Sequence, residues 1–192
     1  MDTQLTAHLS GVFSPGVPDT FHSNYLAAMA FLGSLESQCQ TQASVTAFRE
    51  CAACATFTKR WNLSVYYSLR FQEVAGKLEG VLGGANTVEV VSAEDAAASQ
   101  AVPLRCVATH TTLCALQRAS ARDVVLRPLA DKFVRLSLQC VMRCVLRGMV
   151  FGCTSLVHVE ACTRRARSIF ALCLRAICRV AHVCLSSGVL GG

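Results

Sequence analysis

The fold of this chain is decided by residues 59–82, which read KRWNLSVYYSLRFQEVAGKLEGVL. The segment holds the only tryptophan and two of the three tyrosines, and it contains no proline. Its apolar residues recur at alternating intervals of four and three, which is the spacing of one helical face. These residues are Tyr67, Phe71, Val74, Leu78 and Val81, and Trp61 and Val65 extend the same face. The segment is predicted to be an amphipathic helix that packs against a partner surface.

The same segment resembles the second subunit of the conserved oligomeric Golgi complex, a vesicle-tethering assembly. The middle region of that subunit carries the pattern W-N-x-x-V-Y-[FY]-x-L-R-F-Q-E. The matching residues here are Trp61, Asn62, Val65, Tyr66, Tyr67, Leu69, Arg70, Phe71, Gln72 and Glu73. The resemblance implies a rod-like helical scaffold.

Residues 1–18 are broken by three Pro and Gly residues near their end, so they are predicted to form an irregular arm. Asp19 is expected to cap a helix whose apolar seam has coiled-coil spacing. The seam consists of Phe21, Tyr25, Ala28, Leu32, Leu35 and Cys39. After a polar break, Ser44 is expected to cap the return helix. Residues 19–82 are thus predicted to form a helical hairpin.

This first helix also resembles the same family, through the pattern F-x-P-x-x-P-x-x-F-x-x-N-Y and the residues after it. The matching residues are Phe13, Pro15, Pro18, Phe21, Asn24, Tyr25, Phe31, Leu32, Leu35 and Glu36.

Residues 83–103 are small, polar and acidic, and they contain no aromatic residue. Such a composition cannot bury enough apolar surface to offset the entropy of ordering. We therefore predict a flexible linker here. A helical segment is expected over 104–147.

Within that segment, one apolar stripe is predicted at Val134, Leu138, Val141 and Val145, with Phe133, Leu136, Cys140 and Cys144 beside it. The family pattern D-V-x-L-x-x-L-A-x-[KR]-F-x-R-L-[ST]-L-Q is matched over residues 123–139. In all, the resemblance covers about residues 13–82 and 123–147 and ends near Gly148.

Cysteine is abundant, and seven of the twelve cysteines lie between Cys140 and Cys184. The opening residues lack the basic and apolar regions of a signal peptide, so a reducing, cytosolic setting is expected. Cys51 and Cys54 form a C-x-x-C pair. A zinc site would need a second ligand pair, and a redox site of thioredoxin type would need a βαβ context, so we assign no chemistry to them.

Charge divides the chain into an acidic half, −4 over residues 1–100, and a basic half, +10 over residues 101–192. Residues 148–192 form a divergent, basic and Cys-rich tail that can be helical. An interfacial helix lying on a membrane surface is one interpretation of this tail. Its candidate surface residues are Arg164, Arg165, Arg167, Arg175 and Arg179. The other interpretation is an unselected ending, produced by alternative splicing or by a faulty gene model.

The overall prediction is an all-α protein, an elongated helical hairpin or bundle of tethering-complex rod type. No G-x-S-x-G, P-loop or H-E-x-x-H motif occurs, so no enzyme activity, cofactor, metal, nucleic acid or small-molecule substrate is expected. The resemblance implies a peripheral protein on the cytosolic face of the Golgi membrane that packs against sister subunits in intra-Golgi retrograde transport. The predicted packing or partner residues are Phe21, Tyr25, Leu32, Leu35, Trp61, Val65, Tyr67, Phe71, Val74, Leu78, Phe133, Leu136 and Leu138.

Overall fold

The computed structural model describes residues 11–83 and 107–152, together with 171, 174, 175 and 178. Every regular element in these ranges is a helix, and no strand occurs within them. The predicted all-α class is therefore confirmed. The described chain divides into two compact units, the first ending at Leu69 and the second beginning at Arg70.

The first unit contains three helices and the start of a fourth. Helix α1 spans Pro18–Glu36, α2 spans Gln42–Glu50 and α3 spans Ala52–Lys59. Helix α4, Leu63–Gly83, contributes its opening residues to this unit and its remainder to the second unit. Where two hairpin helices were predicted over residues 19–82, the structure thus has four helices.

The helix starts differ from the predicted ones for reasons of local chemistry. Helix α1 begins with Pro18 in its first turn after Val17, because proline has a fixed helical φ and no N–H to satisfy. Asp19 therefore lies inside the first turn instead of capping it. The cap of α2 is Thr41, whose hydroxyl accepts the N–H of Ser44 at 3.2 Å while the Ser44 hydroxyl accepts the N–H of Thr41 at 3.2 Å. This reciprocal capping box places Ser44 one turn inside the helix.

Among the described residues up to 152, the second unit consists of the end of α4 and two further helices. Helix α5 spans Val107–Ala119 and helix α6 spans Ala130–Gly152, with a short 3-10 helix at Arg127–Leu129 between them. Helices α5 and α6 pack against each other. The buried apolar side chains of α5 and of the connection to α6 are Ala108, Leu113, Ala115, Leu116, Ala119, Val124, Val125, Leu126 and Leu129.

Several predicted regions lie partly or wholly outside the described residues. They are the first ten residues of the arm, nearly all of the 83–103 linker, and most of the 148–192 tail. Those boundaries stay predictions.

Candidate interaction surface

Trp61 is the centre of the first unit. Its ring lies 4.8 Å from that of Phe13, 5.4 Å from Phe21 and 5.4 Å from Tyr25, measured between centroids, and all three contacts are edge-to-face. Phe57 approaches Trp61 edge-on at 6.3 Å. Such pairs are worth about 0.5–1.5 kcal/mol each beyond the area they bury. The aromatic residues of the arm, of α1 and of α3 therefore meet on one tryptophan.

Tyr66 extends this group along α4, since its ring stacks on Phe21 at 5.2 Å. We call the six side chains the ring cluster: Phe13, Phe21, Tyr25, Phe57, Trp61 and Tyr66. Burial raises the pKa of the Tyr25 phenol. The arm is held to α1 by a further bond, in which the Asn24 amide donates to the carbonyl of Val12 at 3.3 Å. The two family motifs quoted above, one starting at Phe13 and one at Trp61, thus converge in the ring cluster.

A network of ion pairs occupies the second unit. The Glu73 carboxylate accepts from Arg70 at 2.8 Å with one oxygen and from Arg118 at 2.7 Å with the other. Arg118 also donates to Asp123 at 2.6 Å. The Arg70 side chain is only 2% exposed, so its charge is desolvated and depends on its partners. We call these four residues the charge network; it ties α4 to α5 and to the turn after α5.

The charge network shifts the titration of its carboxylates. Burial by itself would raise the pKa of Glu73, but the hydrogen bonds from Arg118 and Arg70 outweigh burial and lower that pKa. Burial would likewise raise the pKa of Asp123, but the hydrogen bonds from Arg118 and from the backbone, together with the charges of Arg118 and Arg70, outweigh burial and lower that pKa. The Glu73 carboxylate thus lies between two arginines.

Of the thirteen predicted packing or partner residues, the structure buries seven inside the chain. They are Phe21, Tyr25, Trp61, Val74, Leu78, Phe133 and Leu136. These side chains pack within the chain and are not accessible to another protein. The remaining six are half-buried or exposed and are the ones that can meet a partner.

Among those six, Leu32, Tyr67 and Phe71 are half-buried, and Leu35, Val65 and Leu138 are exposed. Leu138 is 45% exposed, while the other members of the predicted apolar stripe of α6, Val134, Val141 and Val145, are half-buried. The buried face of α6 is instead the neighbouring one, with Phe133, Leu136, Ser137, Cys140 and Cys144. Leu138, Met142 and Leu146 follow each other at one-turn intervals and are all exposed, and we call them the α6 stripe.

Sequence reasoning missed three residues of the buried line of α4. The buried line of α4 is Tyr66, Arg70, Val74, Leu78 and Leu82. Its first and last members are Tyr66 and Leu82, where Tyr67 and Val81 were predicted, and its second member is an arginine that was not predicted on this face. These five residues recur at every fourth position, and this spacing could have identified the buried line. The pattern was hidden because one of the five residues is an arginine.

The predicted membrane-surface residues are mostly outside the described part of the chain. Arg164, Arg165, Arg167 and Arg179 lie there, and Arg175 is described as an exposed helical position. Among the helices that the structure describes, none has the length and apolar character needed to cross a bilayer. Within the same residues, no three His, Cys, Asp or Glu side chains are grouped so that they could hold a metal ion.

Comparison with known proteins gives a consistent result. The family model described as "COG complex component, COG2, C-terminal" matches residues 59–150. Three similar curated proteins are all named conserved oligomeric Golgi complex subunit 2. The Arabidopsis thaliana protein is 41% identical over 133 residues, which cover 69% of this chain and 17% of that protein.

The Homo sapiens protein is 40% identical over 139 residues, covering 72% of this chain and 18% of that protein. The Drosophila melanogaster protein is 32% identical over 147 residues, covering 74% and 20%. The matched part thus corresponds to a fifth or less of each relative's length. No solved structure matches this chain.

The resemblance indicated by the tryptophan motif is confirmed by these matches. The family model carries the description C-terminal, and it also spans the predicted linker between the two motif blocks. Residues 59–150 of this chain match the family described as COG complex component, COG2, C-terminal.

Proposed function

We propose that this chain is a non-enzymatic piece of a Golgi multisubunit tethering complex, acting by helix packing with sister subunits. The observation that carries the proposal is the similarity to proteins named conserved oligomeric Golgi complex subunit 2 over about 70% of the chain. On this proposal the chain works in intra-Golgi retrograde vesicle transport. It associates peripherally with the cytosolic face of the Golgi membrane.

The exposed apolar side chains support a packing role. On α6 the α6 stripe presents Leu138, Met142 and Leu146, which are 45%, 57% and 55% exposed. Apolar residues at one-turn spacing form a narrow ridge that a second amphipathic helix can cover. Helix α1 carries a second exposed set, Phe31 and Leu35, and these belong to the residues that match the family motif. Both faces are therefore candidates for contact with sister subunits.

The chemistry of the chain supports a scaffold more than an enzyme. Its strongest electrostatic feature, the charge network, consists of carboxylates already paired to arginines by hydrogen bonds of 2.6–2.8 Å. A carboxylate whose pKa is lowered by such partners is a poor general base at neutral pH. Glu73 and Asp123 are thus suited to hold helices together.

The α6 stripe gives the test. The full chain, tagged and used as bait in Golgi extract, is compared with a triple variant Leu138→Gln, Met142→Gln and Leu146→Gln. A double variant of the polar face of the same helix, Arg135→Gln with Gln139→Ala, is the matched control. We expect sister tethering subunits to co-purify with the parent chain and the control, and to be lost from the triple variant.

Circular dichroism of each bait verifies that helix content is unchanged. Failure of the parent chain to recover any tethering subunit contradicts the proposed function. Recovery by the triple variant at the parent level contradicts the role given to the α6 stripe alone.

The membrane-surface interpretation of the tail stays a prediction. Flotation with anionic liposomes, comparing the full chain with a truncation at Gly148, separates it from the scaffold proposal. Loss of flotation on truncation supports a lipid-binding tail. Recovery of sister subunits by the truncated chain supports the scaffold.

A further inference from the structure

Cys51 forms the junction between α2 and α3. It ends α2, with its N–H donating to the Phe48 carbonyl at 3.3 Å, and its own carbonyl accepts the N–H of Ala55 at 3.0 Å. Its backbone is extended, with φ −62° and ψ 143°, which breaks the helical path between two short helices. The residue thus serves as the N-cap of α3.

A cysteine replaces the usual oxygen at this cap. The Cys51 Sγ accepts the N–H of Cys54 at 3.4 Å, in the place that a Ser, Thr or Asp oxygen ordinarily takes. This rotamer folds the Cys51 sulfur back over the first turn of α3, and Cys54 is on that same turn. Side chains three residues apart on a helix have Cβ atoms about 5–6 Å apart, and a disulfide needs about 3.5–4.5 Å. A small movement of a helix terminus closes this gap, and helix termini open at little cost.

The two thiols lie in unequal surroundings. Cys51 is exposed and Cys54 is half-buried. Burial raises the pKa of the Cys54 thiol, and the neighbouring Cys51 raises it further. Since the thiolate is the nucleophile in disulfide exchange, the raised pKa makes the Cys54 thiol slow to react at neutral pH. Cys51 is the accessible member and is placed to react first with a molecule from solution.

We propose that Cys51 and Cys54 are a redox pair that closes reversibly to an intrachain disulfide by exchange with a low-molecular-weight disulfide of the glutathione type. In the first step the Cys51 thiolate attacks the external disulfide, forms a mixed disulfide and releases one small thiolate. In the second step Cys54 gives up its proton, attacks the Cys51 sulfur and releases the second small thiolate. Two protein thiols are oxidised by two electrons, and one external disulfide is reduced to two thiols.

This site requires no βαβ fold. The reactive geometry of a C-x-x-C pair needs a helix N-terminus beneath the first cysteine, and the junction of α2 and α3 supplies one within an all-helical unit. The charged pair beside it is Arg49 with Glu36, joined by two hydrogen bonds of 2.9 and 2.8 Å. Glu36 raises and Arg49 lowers the pKa of Cys54, so their opposite charges offset each other at that thiol.

The sequence allows a clean test, because cleavage after Arg49 and Lys59 releases residues 50–59 with these two cysteines and no others. The full chain is equilibrated in glutathione buffers of graded oxidised-to-reduced ratio, with a chelator present. It is then quenched with acid, alkylated and digested. Mass spectrometry distinguishes the dithiol, the mixed disulfide and the internal disulfide of this peptide.

Three variants accompany the parent chain. Cys51→Ser keeps an oxygen acceptor at the cap, so the fold is retained while the first thiol is lost. Cys54→Ser leaves Cys51 without its resolving partner. Cys114→Ser removes an exposed cysteine on α5 and is the matched control.

We expect the parent and the Cys114→Ser chain to accumulate the internal disulfide with little mixed disulfide. We expect Cys54→Ser to stop at a glutathione adduct on Cys51, formed several times faster than the adduct on Cys54 in the Cys51→Ser chain. The proposal is overturned if the parent gives only glutathione adducts of this peptide, or if Cys54 reacts as fast as Cys51. Loss of the internal disulfide in Cys114→Ser also overturns it.

Discussion

The two units of this chain are stabilised by different kinds of side chain. In the first unit, every buried apolar side chain among the described residues 11–69 is aromatic: Phe21, Tyr25, Trp61 and Tyr66. In the second unit, Phe133 is the one aromatic residue among the buried apolar side chains that the structure describes, and aliphatic residues and cysteines make up the rest. The second unit is also stabilised by the charge network.

The number of positions that reach the core differs between the two units. Helices α2 and α3 bury no side chain, so the core of the first unit depends on a few positions of α1 and of residues 61–66. A ring at each of these positions buries a large area. Helices α4 and α6 have 21 and 23 residues and bury a residue on turn after turn, so medium-sized side chains are sufficient.

Among the tests of this difference between the two units, removing the tryptophan is expected to have the largest effect. Trp61→Ala deletes the ring on which four others converge, and we expect a loss of about 3–5 kcal/mol in the free energy of unfolding. Urea unfolding, followed by far-UV circular dichroism and by the near-UV signal of the tyrosines, measures it. Phe31→Ala removes a ring that is 49% exposed and should change stability by no more than about 0.5 kcal/mol. Equal losses in the two variants would show that the ring cluster is not the core of the first unit.

Neutralising the central carboxylate is expected to have the next largest effect. Glu73→Gln leaves the buried Arg70 and the half-buried Arg118 without their shared anion, at a cost of about 1.5–3 kcal/mol. The loss of stability can be measured within the same unit. Cys140 and Cys144 are buried there, and their thiols should react faster with a thiol reagent in the variant than in the parent chain. The matched variant is Glu79→Gln, which breaks an ion pair with Arg143 that is exposed on both sides. It should cost at most about 1 kcal/mol, and an effect as large as that of Glu73→Gln would contradict the importance given to burial.

Lowering the pH is expected to give the smallest of the three effects on the comparison between the two units. The pKa values of Glu73 and Asp123 are both lowered in the folded chain. Because these pKa values are lowered by folding, the unfolded chain binds protons at a higher pH than the folded chain does. The stabilisation is therefore present above the ordinary carboxyl pKa, about 4, and is lost as the pH falls through the folded values.

The labelling rates of Cys140 and Cys144 should accordingly rise as the pH is lowered below about 4, after correction for the reactivity of a free thiol measured at each pH. In the Glu73→Gln chain this rise should be weaker, since one of the two titrating carboxylates is gone. An unchanged pH dependence in that variant would sink the assignment of the acid response to Glu73.

Much of the helical core was predictable from spacing alone. Phe21, Tyr25, Trp61, Val74, Leu78, Phe133 and Leu136 were all found in this way, and all are buried. Errors arose where neighbouring positions were equally apolar. Tyr66 and Tyr67 are adjacent, and the periodicity alone does not decide which of them points inward.

The same ambiguity applies to α6, where Leu138 was predicted to pack or to meet a partner and is exposed. Apolar residues lie on neighbouring faces of that helix in the sequence, and the buried face carries Phe133, Leu136, Ser137, Cys140 and Cys144. Arg70 was missed for another reason. A charged side chain is buried only when partners neutralise it, and its partner Glu73 is held in turn by Arg118, 45 residues further along the chain.

The sequence by itself determined the helical class, the central role of Trp61 and the family, because hydrophobic spacing and dense local motifs are properties of neighbouring residues. Only the tertiary structure decided which apolar faces are covered, that an arginine is buried, and that the Cys51 sulfur caps a helix over Cys54. The physical reason is that burial, charge pairing and side-chain direction depend on groups that meet through folding, and spacing along the chain does not specify those meetings.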